Sequence, residues 1–338
     1  MSKNAPNKKE ADANPENDKS KPLVPIPAWR DTFVHFLFGT PGNESILLNF
    51  LNAVLESDGQ PSAKSVVAKN PFNPQTFVTD KFTILDVKAT DERGDIFAVE
   101  FQTSERTTFA DRLTYYGSRT FGGQMYKGDP YSILRAVIAI AVTTFEMFPQ
   151  LESIHNSFYL TAKADPNVVF TRLLQMHTLE VTKEKIDRVV LLPPTLAAWV
   201  IFIYYSHLKS EVEMTTLLKD QPELIKAYDQ YQVFNHDERL RALDEAHQRF
   251  LHDLATDIEE AHEKGREEER NVWMTERNEL LTDKVENLLR ILVRHFGEIP
   301  STTRDRLHAI HDFNVLRQLT DVAWDCQTLD EFEAALNK

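Results

Sequence analysis

The sequence predicts an α/β fold followed by an all-α C-terminal extension, and three observations predict it. Two alternating segments, Lys81 to Thr90 and Ile96 to Gln102, flank Asp91-Glu92-Arg93-Gly94-Asp95, which has the composition of a hairpin turn. The run Ala136 to Val142 is apolar throughout, as a strand covered on both faces must be. Beyond about Gln232 the chain becomes charge-rich with helical periodicity.

The elements follow in order. Residues 1–25 are rich in Asn, Lys, Pro, Glu and Asp with almost nothing apolar, which predicts a disordered tail, with order beginning at Pro25-Ile26-Pro27. Trp29, Thr32, Phe33, Phe36 and Leu37 take helical spacing up to Gly39. After the Pro41-Gly42 turn a second helix spans Asn43 to Glu56, with Ile46, Leu47, Phe50, Leu51, Val54 and Leu55 on its core face. The hairpin comes next, then a helix from Phe109 to Phe121, the apolar strand, and a further strand over Ser157 to Ala162. Pro193-Pro194 opens a helix carrying Trp199, Phe202, Ile203 and Tyr204. Leu281, Val285, Leu288 and Leu292 fall at heptad-like spacing and call for a partner helix. Thr328 with Glu331 forms a capping box ahead of Phe332 and Leu336.

Composition narrows the function. The chain has 338 residues, 42% of them apolar, enough for a substantial core and more than one domain. A lone Cys326 forms no internal disulfide, which points to a reducing, cytoplasmic setting. The longest apolar run, Leu196 to Tyr205, falls well short of the about 20 residues that span a membrane, and the N-terminus lacks the apolar core of a secretory signal. The net charge of −14 speaks against a polyanionic partner at first sight, but it is unevenly spread: Asp237 to Arg270 alone carries 12 acids against 6 bases.

The hairpin carries the chemistry. With its turn centred on Arg93, Asp86 lies across from Glu100, and like charges so placed repel. A divalent cation offsets that repulsion, because Mg²⁺ is commonly held by one or two carboxylates with water. The plainer alternative is a solvated polar face with Lys88 as counter-charge. Against it, Phe97-Ala98-Val99-Glu100-Phe101 is nearly all apolar, which suits a buried strand, where an unpartnered carboxylate is costly. In the next helix Arg112, Tyr115, Tyr116 and Arg119 share one face, offering cations and aromatics of the kinds that contact phosphate and stack on bases. The alternative for that face is a core-edge stripe with snorkelling arginines.

The pattern Asp86, Glu100-x-Gln102, Arg112-x-x-Tyr115-Tyr116 and Gln124-x-x-x-Gly128-x-x-Tyr131 resembles the recombination-promoting nuclease and transposase branch of the PD-(D/E)XK nucleases. Asp31-x-Phe33, Phe38-Gly39 and Leu51-Asn52-Ala53-Val54-Leu55 are similar to its opening signature, and the likeness runs over about residues 29–232. Glu260 to Gly265 resembles its acidic connector, and Leu288 to Leu336, with Arg294-x-Phe296-Gly297, a small helical domain found behind such nucleases. The resemblance implies a mixed four-stranded sheet flanked by helices and metal-dependent hydrolysis of DNA. Its parts would be a tail over 1–25, a nuclease-like domain over 26–232, a charged helical connector over 233–285 and a helical domain over 286–338. It implies Asp86, Glu100 and the Phe101 carbonyl as ligands to Mg²⁺, with Mn²⁺ as a substitute, and Gln102 as the residue that positions water. Asp31, Arg112, Tyr116, Arg119 and Gln124 would support the substrate. Gln102 stands where the wider superfamily usually has Lys, and a neutral amide orients water without stabilising developing charge as an ammonium does. The rival reading is therefore a nuclease fold kept as a DNA-binding or assembly module. DNA would be gripped along Arg106, Arg112, Arg119 and Lys127, and the C-terminal helices offer a surface for a homo-oligomer.

Two other signals do not stand. Gly39 to Ser45 lacks the Gly-Lys-Ser/Thr ending of a phosphate loop and follows a helix. His308 and His311 have no third ligand at a convincing spacing.

Overall fold

The hairpin is the seed of a six-stranded mixed sheet, seen in a computed structural model that describes residues 24–70, 72, 86–183 and 189–337. The polar tail up to residue 23 and the Phe82 and Ile84 end of the first hairpin strand lie outside the described residues. Strand β2 (Val87–Asp91) pairs antiparallel with β3 (Ile96–Gln102), Lys88 opposite Ala98 and Val87 opposite Val99, which is the register a turn centred on Arg93 dictates. The turn closes because Asp91 Oδ1 accepts from the N–H groups of Arg93 and Asp95, with Gly94 taking the positive φ of 87° that a side chain resists. Strand β1 (Val66–Ala68) adds to the outside of β2.

Beyond β3 the chain crosses over through helix α3 (Phe109–Gly122) into β4 (Val137–Thr143), which lies parallel to β3 and is buried along its whole length. Two further strands, β5 (His155–Ala162) and β6 (Asp165–Glu180), complete the order β1-β2-β3-β4-β6-β5. The sheet therefore has six strands where four were expected. The longest of them, β6, was not anticipated: its first half is largely exposed, so no apolar alternation marks it, and burial begins in earnest near Gln175.

Period-two alternation assigns the two faces. Phe97, Val99, Phe101, Ile138, Ile140 and Val142 pack under α1 (Asp31–Gly39), α2 (Glu44–Ser57), α4 (Pro194–Tyr205), α5 (Glu211–Leu218) and α6 (Pro222–His236). The rings of Phe38, Phe50 and Trp199 meet at the centre of this layer. Ala139 and Ala141 face the other way, onto Phe109 and Leu113 of α3. Small residues are needed there because the helix comes close: a Cβ on Gly117 would already touch Leu174 at 3.4 Å.

Helix α7 runs unbroken from Glu238 to Phe296, and two compact units divide between Phe250 and Leu251. In the second unit Leu281, Val285, Leu288 and Leu292 are buried against Leu307 of α8 (Ser301–His308), Leu316 and Leu319 of α9 (Phe313–Asp325) and Phe332 of α10 (Leu329–Leu336). The heptad-like stripe thus finds its partners in this chain's own helices. Of the Thr328 capping box one half forms: Thr328 accepts from the Glu331 N–H, while Glu331 reaches back to the Gln327 N–H instead. Among the described residues no helix is long and apolar enough to cross a membrane.

Candidate active site

Glu100 and Gln102 point to the α3 side of the C-terminal end of β3, next to the parallel neighbour β4. Asp86 sits one residue before β2, where Asn70 holds the backbone that follows it: the Asn70 amide donates to the Asp86 carbonyl at 2.9 Å and accepts from the Lys88 N–H at 2.7 Å. The Asp86 carboxylate then reaches the Phe101 N–H, with Oδ2 accepting at 2.5 Å, and its other oxygen lies 3.6 Å from His35 Nε2. Residues 86, 100, 101 and 102 are thereby gathered at one end of the hairpin.

Helix α1 approaches the same place. Asp31 opens it and His35 follows one turn later, so both fall on one face. The start of α7 fixes this helix end: Thr32 Oγ1 donates to the buried Asp244 carboxylate, Arg30 pairs with Asp244 at 3.7 Å, and His247 stands 3.7 Å from Asp31. Asn70, His35 and His247 were not singled out in the sequence. Of the three His35 was the readable one, through its i, i+4 spacing from Asp31.

The electrostatics mark the site as short of positive charge. Glu100 is 8% exposed. Burial, then the charge of Asp86, push its carboxyl up to about 8, against the opposing pull of Arg112, and Asp31 adds to the push. Burial likewise raises Asp86, with the His35 and Phe101 hydrogen bonds opposing and Asp31 assisting. Arg112 forms a close ion pair with Glu100 Oε1 and donates to Gln102 Oε1 at 2.9 Å, while Glu100 Oε2 is buried with no hydrogen-bond partner. Such an orphaned carboxylate oxygen in a protein interior wants a cation or a proton. Among the described residues no three His, Cys, Asp or Glu side chains are grouped so that together they could hold a metal ion. Two hard carboxylates with open positions fit Mg²⁺ or Mn²⁺ better than a metal that demands a full protein shell.

The remaining expected residues divide. Tyr116 and Arg119 continue the Arg112 face of α3, which borders the core face of Phe109, Leu113 and Gly117: Arg112 and Tyr116 are half-buried at that edge, with the Arg112 guanidinium over the Phe109 ring at 5.2 Å, while Tyr115 and Arg119 are exposed. Tyr115 and Tyr116 meet edge to face at 5.3 Å. Arg106, Arg119 and Lys127 are exposed. Gln124 is not brought to the carboxylates. Its amide donates to the Arg135 carbonyl at 3.0 Å and accepts from the Arg135 N–H at 2.9 Å, near the Ile96 end of the sheet. Gln102 turns its amide nitrogen onto Ser104, at 3.0 Å from the carbonyl and 3.1 Å from the hydroxyl.

Set beside known proteins, residues 30–261 match the family described as PD-(D/E)XK nuclease family transposase. No curated protein and no solved structure matches the chain.

Proposed function

The chain belongs to the PD-(D/E)XK nuclease family transposases, and from that membership we propose that it is a metal-dependent DNA endonuclease acting at Asp86 and Glu100. The observation that carries the reading is the buried, unpartnered Oε2 of Glu100 on a central strand, beside a second carboxylate. Asp86, Glu100 and the Phe101 carbonyl would hold the ion. When bound, a divalent cation polarises the scissile phosphate and lowers the pKa of a coordinated water.

The chain's own groups do the rest. The Phe101 N–H and Asn70 hold Asp86 in place, so little is lost in ordering it when substrate arrives. Gln102 orients the attacking water. Arg112, bonded to both Glu100 and Gln102, fixes their separation and places a cation where the phosphate gathers negative charge. Asp31 adds negative potential that draws a cation in. Tyr116 and Arg119 extend the face toward the DNA backbone, and the exposed Arg106 and Lys127 supply further phosphate contacts.

The test is Mg²⁺ calorimetry with nicking of a supercoiled plasmid, on wild type and Asp86→Asn. Binding and nicking present in wild type and absent from the variant are expected. Normal nicking by the variant would overturn the assignment. A second reading, a nuclease fold working as a DNA-binding or assembly module, draws on the way Arg112 occupies Glu100 and Gln102 together. Under it wild type neither binds Mg²⁺ nor nicks.

A further inference from the structure

The helical unit at the C-terminus has a cavity of about 370 Å³ between α7 and α8. Leu289 and Val293 give it an apolar floor, and Arg290, Arg294, Arg304 and His308 stand around it. Arg290 and Arg294 are one turn apart on α7, and Arg304 and His308 are one turn apart on α8, so two basic pairs meet over one space. Among the described residues none of the three arginines is paired with a carboxylate, and the sole acid of the lining, Glu286, lies 3.8 Å from His308. Arg304 is held by its Nε, which donates to the Ile299 carbonyl at 3.2 Å and leaves both terminal nitrogens for a ligand. The surrounding sequence has the same bias: from Lys284 to Arg317 there are 6 basic residues against 4 acidic ones, in a chain of net −14.

Cations near helix C-termini stabilise helices by themselves. That effect asks for nothing beyond placement in the last turns. It does not require guanidinium groups from two helices to surround one hollow with an aliphatic base. Guanidinium groups without carboxylate partners match phosphate oxygens in a forked geometry, and an apolar floor suits the carbon face of a sugar. A volume of this order takes a phosphate with its neighbouring sugar.

We propose that this cavity is a second DNA contact, seating one backbone phosphate and the adjoining deoxyribose. The proposal rests on the reading of DNA as substrate and adds a contact that the carboxylate site does not provide.

The test uses the full chain and a short labelled duplex in EDTA, with binding followed by fluorescence anisotropy as KCl rises. R290Q/R294Q, and separately R304Q, are expected to weaken binding and to reduce the slope of log Kd against log salt by about 1, the loss of one phosphate contact. R317Q removes an equally exposed arginine outside the cavity and is expected to keep the wild-type slope. Unchanged slopes in the cavity variants would overturn the proposal, as would an equal fall in R317Q, which would mark a general charge effect. Two competitors separate other anions. Polyglutamate bound by wild type but not by R290Q/R294Q, with duplex slopes unchanged, would make this a site for acidic peptides. Inorganic phosphate bound by wild type but not by R290Q/R294Q, with duplex slopes unchanged, would make it a site for free phosphate. Either result overturns the DNA contact. Asp86→Asn distinguishes the two readings: it is expected to lose nicking while keeping the arginine-dependent slope. A wild type that never nicks but shows that slope would sink the nuclease reading alone.

Discussion

Two buried glutamates on the same sheet show how differently a protein treats a carboxylate. Glu180, at the end of β6, and Lys183 are both fully buried, 2.9 Å apart. The lysine donates to the carbonyls of Phe148 and Leu151 at 2.9 and 2.7 Å, and Glu180 accepts from the Phe148 N–H at 3.2 Å. Every strong group there has a partner, and the result pins the loop after β4 onto the sheet. Glu100, on β3, has one oxygen on Arg112 and one on nothing, with Asp86 beside it. Burial alone does not set the two carboxylates apart. The incomplete set of partners at Glu100 does.

The comparison breaks most easily by mutation. Glu180→Gln leaves Lys183 buried without its counter-ion and is expected to cost about 3–5 kcal/mol of folding stability, read by urea denaturation. Glu100→Gln is expected to leave stability near neutral pH little changed, because burial already holds that carboxyl toward its neutral form, while abolishing plasmid nicking. A Glu100→Gln protein as unstable as Glu180→Gln would show that the two sites are alike.

Proton linkage sharpens the contrast. Next to Glu180 in the sheet, His155 and His177 stack with their facing nitrogens 3.1 Å apart. Burial lowers them to about 4 and about 3, and the His155 charge also opposes protonation of His177. The unfolded chain takes up protons on them below the ordinary 6.5 while the folded chain does not, so stability falls as pH drops from 6.5 toward 4. The slope approaches about 1.4 kcal/mol per pH unit for each histidine. Denaturation across pH in His177→Gln is expected to show a smaller loss between pH 6.5 and 4 than wild type, and an identical profile would refute the burial of His177 as a neutral group. Glu100 has the opposite sign: its raised pKa favours the fold below 4.5 and that contribution is lost as pH rises through about 8. For the same reason Mg²⁺ affinity should climb with pH and level off above about 8. Calorimetry showing a pH-independent affinity would mean that Glu100 gives up no proton to the metal.

Smaller effects test the scaffold. A Cβ at Gly39 would lie 2.7 Å from the Phe72 backbone nitrogen, so Gly39→Ala should cost about 1–3 kcal/mol in thermal melts. Gln124→Ala should cost about 1 kcal/mol, through the two lost bonds to Arg135. A large loss of DNA affinity without that destabilisation would return Gln124 to the substrate face.

The sequence by itself determined the hairpin and its register, the buried character of β3 and β4, the helix α3 that follows and the helical C-terminal region. Each depends on local rules: alternation with period two, turn chemistry within five residues, and apolar spacing along a helix. It therefore also placed Asp86, Phe101, Glu100 and Gln102 at one end of the hairpin. Tertiary structure alone decided that β6 enters beside β4, because a half-exposed strand is defined by the neighbour it pairs with and not by its own pattern. It also decided that Arg112 lands on Glu100, that Asn70 and His35 reach Asp86, and that Asp244 and His247 meet the start of α1. Gln124 fits the same family pattern yet bonds to Arg135, toward the Ile96 end of the sheet. These are contacts between residues distant in the chain. They are set by how layers pack, which no local periodicity encodes.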